Sequence, residues 1–254
     1  MITSTDNPRV KELLALRKSR ERRRTGLFIA EGPREVERAR EAGLTIHATY
    51  VAPELLTWHD PHAEEVSARV LAKMAYRAEP EGVLAVVETP RRTLPTDGTL
   101  YLVAVGIEKP GNLGAMARTA DAAGADALVV AEAVADPFNP NAIRASAGAV
   151  FTLPVVEATL AEIQNLHAHL VAATPQASTA HTDADLARPT ALVVGAEDRG
   201  LPETWLTAAE THVAIPLKGR TTDSLNAATA AAILLFEAVR QRGWAPSTRY
   251  PDHQ

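Results

Sequence analysis

Residues 191–201 read ALVVGAEDRGL, an apolar stretch that ends in a polar loop with a glycine at each end. Four consecutive apolar residues at 191–194 are typical of a strand buried on both faces of a sheet. Other short apolar stretches lie at 100–105, 127–131, 170–173 and 212–215. Helical patterns are found at 113–123, 141–150, 160–167 and 224–242. This alternation predicts an α/β fold with a parallel sheet covered on both faces.

The N-terminal third of the chain predicts a smaller α/β unit. Strands are expected at 27–30, 45–51 and 83–87, and helices at 33–42 and 62–75. Asn7 as N-cap and Pro8 as first helical residue open an additional helix before them. The stretch TPRRTLPTDG at 89–98 has the composition of a linker. We therefore predict an N-terminal domain over residues 1–89, a linker over 90–98 and a larger domain over 99–254.

Composition excludes several classes of protein. The 254 residues include no cysteine, which rules out disulfides, cysteine zinc sites and thiol nucleophiles. The longest apolar stretches, such as 227–236, are far shorter than the roughly 18 residues of a membrane-spanning helix, and residues 1–9 have no apolar signal-peptide core. We therefore expect a cytoplasmic protein with no membrane partner.

The charge is distributed unevenly. The net charge of the chain is −5, but residues 9–24 carry +6 and the remainder −11. We expect this basic segment to lie largely on one helix and to bind the phosphate backbone of RNA. A solvated basic helix face is the alternative interpretation. The candidate RNA-binding residues are Arg9, Lys11, Arg17, Lys18, Arg20, Arg22, Arg23 and Arg24.

Familiar nucleotide and metal motifs are missing from the sequence. It contains no G-x-x-x-x-G-K-[ST], and no predicted strand is followed by G-x-G-x-x-G, which argues against ATP hydrolysis and ordinary dinucleotide binding. The eight histidines are scattered, so we predict no metal site.

Two polar clusters follow predicted strands, where open α/β sheets form their ligand crevices. In GNLGAMART at 111–119, Asn112 can cap the helix, and Arg118 can face a phosphate or a substrate oxygen. The alternative is a capped helix with one surface arginine. In GAEDRGLP at 195–202, the glycines allow backbone groups to approach a ligand, or the segment is a turn into a short helix at Pro202.

A third cluster joins the last predicted strand to the last helix. It consists of IPLK at 215–218 and TDSLN at 222–226. Ser224 is predicted as the N-cap of the last helix, whether or not it also binds a ligand.

Together, and in this order, the clusters resemble the three motifs of the SpoU (TrmH-type) family of RNA ribose 2′-O-methyltransferases, in the SPOUT superfamily. The matching stretches are NLGAMARTA at 112–120, GAEDRGL at 195–201, and residues 215–217 with SLNAA at 224–228. The N-terminal unit is similar to the ribosomal-protein-like substrate-binding domain often fused to these enzymes.

The resemblance implies a C-terminal domain tied into a trefoil knot, an exception to the rule that chains avoid knots. It also implies a homodimer and S-adenosylmethionine as the cofactor, held largely by backbone groups. The corresponding cofactor-binding residues are Thr174, Gly195, Glu197, Gly200, Ile215, Leu217, Ser224, Leu225 and Asn226.

The resemblance further implies catalytic roles. Arg118 matches the arginine to which the family assigns activation of the ribose hydroxyl, although an arginine can also act by stabilising the developing oxyanion. Asn112, Glu197, Ser224 and Asn226 match the other polar motif positions. Glu197 is expected to order Asn112 through hydrogen bonds.

Two positions depart from the family pattern. Ala196 stands where asparagine is common, and Leu217 where methionine is frequent. Both still suit binding through the backbone.

We expect a methyltransferase that acts on structured RNA, ribosomal (23S) RNA ahead of transfer RNA. A transfer RNA 2′-O-methyltransferase is one alternative. A non-catalytic RNA-binding or ribosome-assembly protein with the same fold is another.

Overall fold

A computed structural model describes residues 1–219, 221 and 224–243 of the chain. Within those residues the helices are α1 (Pro8–Ala15), α2 (Ser19–Thr25), α3 (Pro33–Glu41), α4 (Ala68–Met74), α5 (Pro110–Ala122), α6 (Pro140–Ser146), α7 (Leu160–Gln164), α8 (Glu203–Ala208) and α9 (Ala227–Gln241). The strands are β1 (Leu27–Glu31), β2 (Ile46–Val51), β3 (Glu64–Glu65), β4 (Val83–Glu88), β5 (Leu100–Val105), β6 (Ala127–Ala131), β7 (Val155–Glu157), β8 (His169–Ala173), β9 (Thr190–Val194) and β10 (Thr211–Val213).

The larger sheet has six parallel strands in the order β10-β8-β9-β5-β6-β7. Its side chains alternate between two cores, with Leu102 and Leu192 on one face and Val103 and Val193 on the other. The predicted parallel sheet with two covered faces is therefore confirmed. The prediction missed β7, a three-residue strand at the sheet edge. Because all six strands are parallel, their carboxyl ends meet at one edge, where ligand crevices form.

The smaller sheet has the order β1-β4-β2-β3, with β4 antiparallel to both neighbours. All three strands predicted for this unit are present. The helix predicted over 62–75 is wrong in its first half, because Glu64 and Glu65 pair with β2 as β3. Ser67 then caps α4 by accepting a hydrogen bond from the Val70 amide at 3.3 Å.

The basic segment forms two helices, α1 and α2, so the prediction of one helix is wrong. The reason lies in Arg22, which is only 4% exposed. Its Nη1 donates to the carbonyl oxygens of Leu16 at 2.7 Å and Arg17 at 2.9 Å, which occupies carbonyls left open where α1 ends. The prediction of Arg22 as an RNA ligand is therefore also wrong, since a buried guanidinium cannot reach a phosphate.

The two sheets share one continuous core. The Arg22 Nη2 atom lies 2.6 Å from Asp136 Oδ2 in the loop after β6. Beside this ion pair, the ring of Phe28 on β1 lies 5.1 Å from that of Phe138 and 5.6 Å from that of Phe151. The N-terminal unit is thus packed directly on the loop between β6 and α6, which carries Asp136 and Phe138. Among the described residues, no helix combines the length and apolarity needed to cross a membrane.

Candidate active site

A pocket of about 670 Å³ opens at the carboxyl edge of the large sheet, where β8, β9 and β10 end. Eight of the nine residues predicted to hold the cofactor line it, namely Thr174, Gly195, Glu197, Gly200, Ile215, Leu217, Ser224 and Leu225. Asn226, the ninth, contacts Glu197 beside the pocket. The prediction missed seven other residues that line the wall, namely Ala173, Pro175, Val194, Ala196, Val213, Ala227 and Ala230. The rule that parallel strands end at one edge explains why separate loops, remote in sequence, come together here.

Two glycines shape the loop that follows β9. A Cβ atom on Gly195 would lie 2.4 Å from the Gly200 carbonyl carbon, so no side chain fits at position 195. Gly200 has a φ of +66°, a conformation that favours glycine, and its amide donates to the Ala196 carbonyl oxygen at 2.9 Å. The closed loop therefore presents backbone groups at the pocket wall, which suits a ligand held by main-chain contacts.

Three side chains from segments remote in sequence form a polar cluster beside the pocket. Asn112 Nδ2 donates to Glu197 Oε1 at 2.8 Å, the hydrogen bond expected from the sequence. Asn226 Nδ2 donates to the same carboxylate and to Asn112 Oδ1, the latter at 3.1 Å. Glu197 thus holds both amides in fixed orientations.

Lys109 completes this cluster, and the sequence reasoning did not select it. Its Nζ lies 2.6 Å from Glu197 Oε2. The hydrogen bond from Lys109, followed by that from Asn112, lowers the pKa of Glu197. Glu197 is therefore ionised at neutral pH and acts as a hydrogen-bond acceptor rather than as an acid. Lys109 stands immediately before Pro110, and no sequence motif identifies it as a site residue. Only its contact with Glu197 in the folded chain does so.

Both predicted helix caps at the site are wrong. Helix α5 begins at Pro110, so Asn112 lies within its first turn and its side chain is free to bond Glu197. Asn226, not Ser224, caps α9, because its Oδ1 accepts from the amides of Ala228 at 3.0 Å and Thr229 at 3.3 Å. Ser224 is exposed at the pocket wall.

Arg118 lies outside this cluster. It is on α5, six residues after Asn112, which places it about 120° around the helix and about 9 Å along it. It is exposed, and within the described ranges no hydrogen bond or ion pair holds it. Its guanidinium is free to meet a substrate at the protein surface.

The remaining basic residues of the N-terminal segment differ in availability. Arg17 is partly buried and donates to the Lys73 carbonyl oxygen at 2.9 Å. Lys18 and Arg20 are exposed with no carboxylate within 4.0 Å in the part of the chain that the structure describes. The other four are exposed beside one carboxylate each, as Arg9 with Glu64, Lys11 with Asp6, Arg23 with Glu157 and Arg24 with Glu21.

A second cleft, of about 530 Å³, lies on the other side of Glu197 and is lined by residues 107–109, Asn112 and 196–198. In the described part of the chain, no three His, Asp or Glu side chains gather as metal ligands would.

Two protein families match separate parts of the chain. The SpoU rRNA Methylase family matches residues 99–236, and an MRM3-like substrate binding domain matches residues 7–85. A 23S rRNA (uridine(2479)-2′-O)-methyltransferase of Streptomyces viridochromogenes is 33% identical, over 93% of this chain and 91% of the relative.

Two solved structures are also similar over nearly the whole chain. An RNA 2′-O ribose methyltransferase is 44% identical, with a TM-score of 0.82 over 95% of this chain and 98% of the other. An rRNA methyltransferase from Sinorhizobium meliloti with bound AdoMet is 31% identical, with a TM-score of 0.84 over 94% of this chain and 97% of the other. The chain therefore belongs to the SpoU rRNA methylase family.

Proposed function

We propose that this protein is a 2′-O-methyltransferase that moves a methyl group from S-adenosylmethionine to a ribose hydroxyl of ribosomal RNA, the 23S species. The observation that carries the proposal is the pocket into which Thr174 and seven residues of the second and third motifs converge, beside the cluster in which Asn112 of the first motif bonds Glu197. The 23S rRNA substrate named for the Streptomyces relative, and the AdoMet named for the Sinorhizobium structure, support the choice of substrate and cofactor.

The lining of the pocket suits the chemistry of S-adenosylmethionine. Its apolar wall, with Ile215 and Leu217, suits an adenine ring, and the closed loop at Gly195 offers backbone donors and acceptors. Bound there, the cofactor supplies an electrophilic methyl group on a sulfonium. Glu197 is ionised close by and favours the positive charge.

The protein side chains orient the ribose and stabilise the charge that develops on its oxygen. Asn112 and Asn226, both held by Glu197, stand between the pocket and the second cleft, where we place the target nucleotide. As the oxygen gains the methyl group it loses its proton to solvent. Arg118 remains charged and stabilises the oxyanion or the adjacent phosphate.

The exposed cations of residues 9–24 bind the RNA backbone, foremost Lys18, which precedes α2, and Arg20 on α2. We further propose that the catalytic domain is knotted and that the domain boundaries lie near residues 89 and 99. We also propose a homodimer whose interface covers Phe236, which is 49% exposed on α9. A cytoplasmic location follows from the ribosomal substrate. Light scattering of the purified protein tests the dimer, and a monomer at micromolar concentration would contradict it.

The activity test uses methyl-labelled S-adenosylmethionine with unmodified ribosomal RNA and transfer RNA in separate reactions. We expect label in 23S rRNA, mapped to one ribose, and a loss of at least about a hundredfold in Arg118→Ala. Arg188→Ala, at an exposed arginine before β9 on the opposite sheet edge, is the matched control. Label only in transfer RNA would contradict the ribosomal substrate. Tight cofactor binding without transfer to any RNA would indicate a binding protein.

A further inference from the structure

A cleft between the N-terminal unit and the larger domain is lined by both an aromatic ring and a cation, and it lies outside the pocket described above. Tyr76 and Arg77, after α4, line one side, and Asn141 and Arg144, on α6, line the other.

The backbone of Tyr76 is held by a buried carboxylate. Glu31, 5% exposed at the end of β1, accepts the Tyr76 amide on Oε2 at 2.9 Å and the Arg77 amide on Oε1 at 3.0 Å. Asn141 Nδ2 lies 3.4 Å from the Tyr76 hydroxyl. Yet the Tyr76 side chain is 45% exposed. The buried Glu31 carboxylate therefore fixes the backbone at Tyr76, while the aromatic residue itself is open to solvent.

Two arginines and the carboxylates of Glu31 and Glu35 line the cleft, and the two arginines differ in their partners. Arg77 pairs with Glu35 at 3.6 Å and with Glu81. Arg144, in contrast, is exposed and has only the Asn141 Oδ1 atom, at 3.3 Å, as a partner in the part of the chain that the structure describes. An exposed aromatic ring on a fixed backbone, in the same cleft as a guanidinium without a carboxylate partner among the described residues, is a combination that can bind an unpaired nucleotide.

The cleft is close to the proposed catalytic surface. Helices α5 and α6 touch at the backbone, because a Cβ on Gly114 would lie 2.2 Å from the Ala142 carbonyl oxygen. Arg118 follows Gly114 by one helical turn, and Arg144 follows Ala142 by two residues. Two exposed arginines, Arg118 on α5 and Arg144 on α6, therefore stand on adjacent helices.

We propose that Tyr76 stacks on an unpaired base of the RNA near the target nucleotide, and that Arg144 binds a neighbouring phosphate. The identity of the RNA rests on the proposed function, whereas the contact itself is a property of this cleft. Stacking tolerates any base, so the site positions the strand without reading its sequence.

The test measures binding of an unmodified 23S rRNA transcript to the full chain by filter retention, separately from methyl transfer. Tyr76→Ala should weaken binding by about tenfold, the size expected for one stacked base, and Tyr76→Phe should stay within about twofold of the parent protein. Arg144→Ala should weaken binding and reduce the slope of log affinity against log salt by about one, whereas Arg188→Ala should change neither.

S-adenosylmethionine affinity, measured by calorimetry, should be unchanged in all four variants and shows that each is folded. Equal affinity of Tyr76→Ala and the parent protein for the transcript would overturn the proposal, as would equal losses in Tyr76→Ala and Tyr76→Phe. If the parent protein binds RNA through Tyr76 but transfers no methyl group, the proposed function fails and this inference stands. If it transfers methyl groups independently of Tyr76 and Arg144, the reverse holds.

Discussion

Asn226 joins two kinds of interaction in one side chain. Its Oδ1 caps α9 and its Nδ2 donates to Glu197 and Asn112. An asparagine suits both because its amide carries an acceptor and a donor on opposite atoms. The start of the last helix and the orientation of the polar cluster are consequently tied to the same residue.

The two roles of Asn226 are separable by substitution. Asn226→Ala removes both and should lower the free energy of unfolding by about 1 kcal/mol. Asn226→Ser keeps a capping oxygen and should retain that stability, yet lose about tenfold or more in methyl transfer because the donor to Glu197 is absent. Urea denaturation and a labelled-methyl assay measure the two effects. Full transfer by Asn226→Ser would refute the role of the amide donor.

At the scale of elements, the packing of α5 on α6 depends on a missing side chain. Gly114 faces the Ala142 backbone, whereas Gly111, one turn earlier on the same helix, has no atom within 4 Å of its Cβ position. Close backbone contact between these helices fixes the position of α5, whose first turn carries Asn112, relative to α6.

Replacement of the two glycines should therefore have opposite effects. Gly114→Ala must push α6 away and should destabilise the fold by about 1 to 3 kcal/mol. Gly111→Ala should be neutral or stabilising by up to about 1 kcal/mol, since alanine is the better helix former. Thermal unfolding of the two variants compares them directly. A similar melting temperature for both would show that the contact at Gly114 relaxes without cost.

Helix α9 is held at its C-terminal end by an ionised carboxylate. Glu237 accepts from Arg240 Nη2 at 2.7 Å and from Gln241 Nε2 at 2.8 Å. Arg240 first, and then Gln241, lower the pKa of Glu237 from its ordinary 4.5 to about 2. A depressed carboxyl pKa stabilises the fold fully above the unfolded-state value and progressively less as pH falls toward the folded-state value.

We therefore expect a stability loss between about pH 4.5 and pH 2 that depends on Glu237. Glu237→Gln should melt at a lower temperature at pH 7 and should lose less stability than the parent protein across that interval. Exposed Glu37→Gln is the control and should follow the parent curve. Identical pH dependence in Glu237→Gln and the parent would contradict the assignment.

Across the whole molecule, Arg22 and Asp136 link the N-terminal unit to the methyltransferase domain. Both are largely buried, with side-chain exposures of 3% and 12%. Asp136 also accepts from Ser19 Oγ at 3.1 Å and, on Oδ1, from the Phe138 amide at 2.8 Å. The proposed RNA-binding helices are thereby held in one orientation relative to the proposed cofactor pocket.

Removal of one partner would leave the other charge buried and unpaired. Arg22→Met should cost about 3 to 5 kcal/mol of unfolding free energy, and the double variant Arg22→Met/Asp136→Leu should lose less than the sum of its single substitutions. Exposed Arg20→Met should cost under about 0.5 kcal/mol. Denaturant titration of the parent protein, the two single variants and the double variant measures the coupling between Arg22 and Asp136. Strict additivity would show that the pair is not coupled.

The sequence by itself determined the elements whose causes are local. Apolar runs at β5, β6 and β9 and the proline that opens α5 depend on neighbours along the chain, and the three ordered motifs indicated the family. Only the tertiary structure decided which polar atoms meet. The pairing of Lys109 with Glu197 spans 88 residues and that of Arg22 with Asp136 spans 114. Such contacts depend on how strands order in the sheet and on where loops close, so no local pattern specifies them.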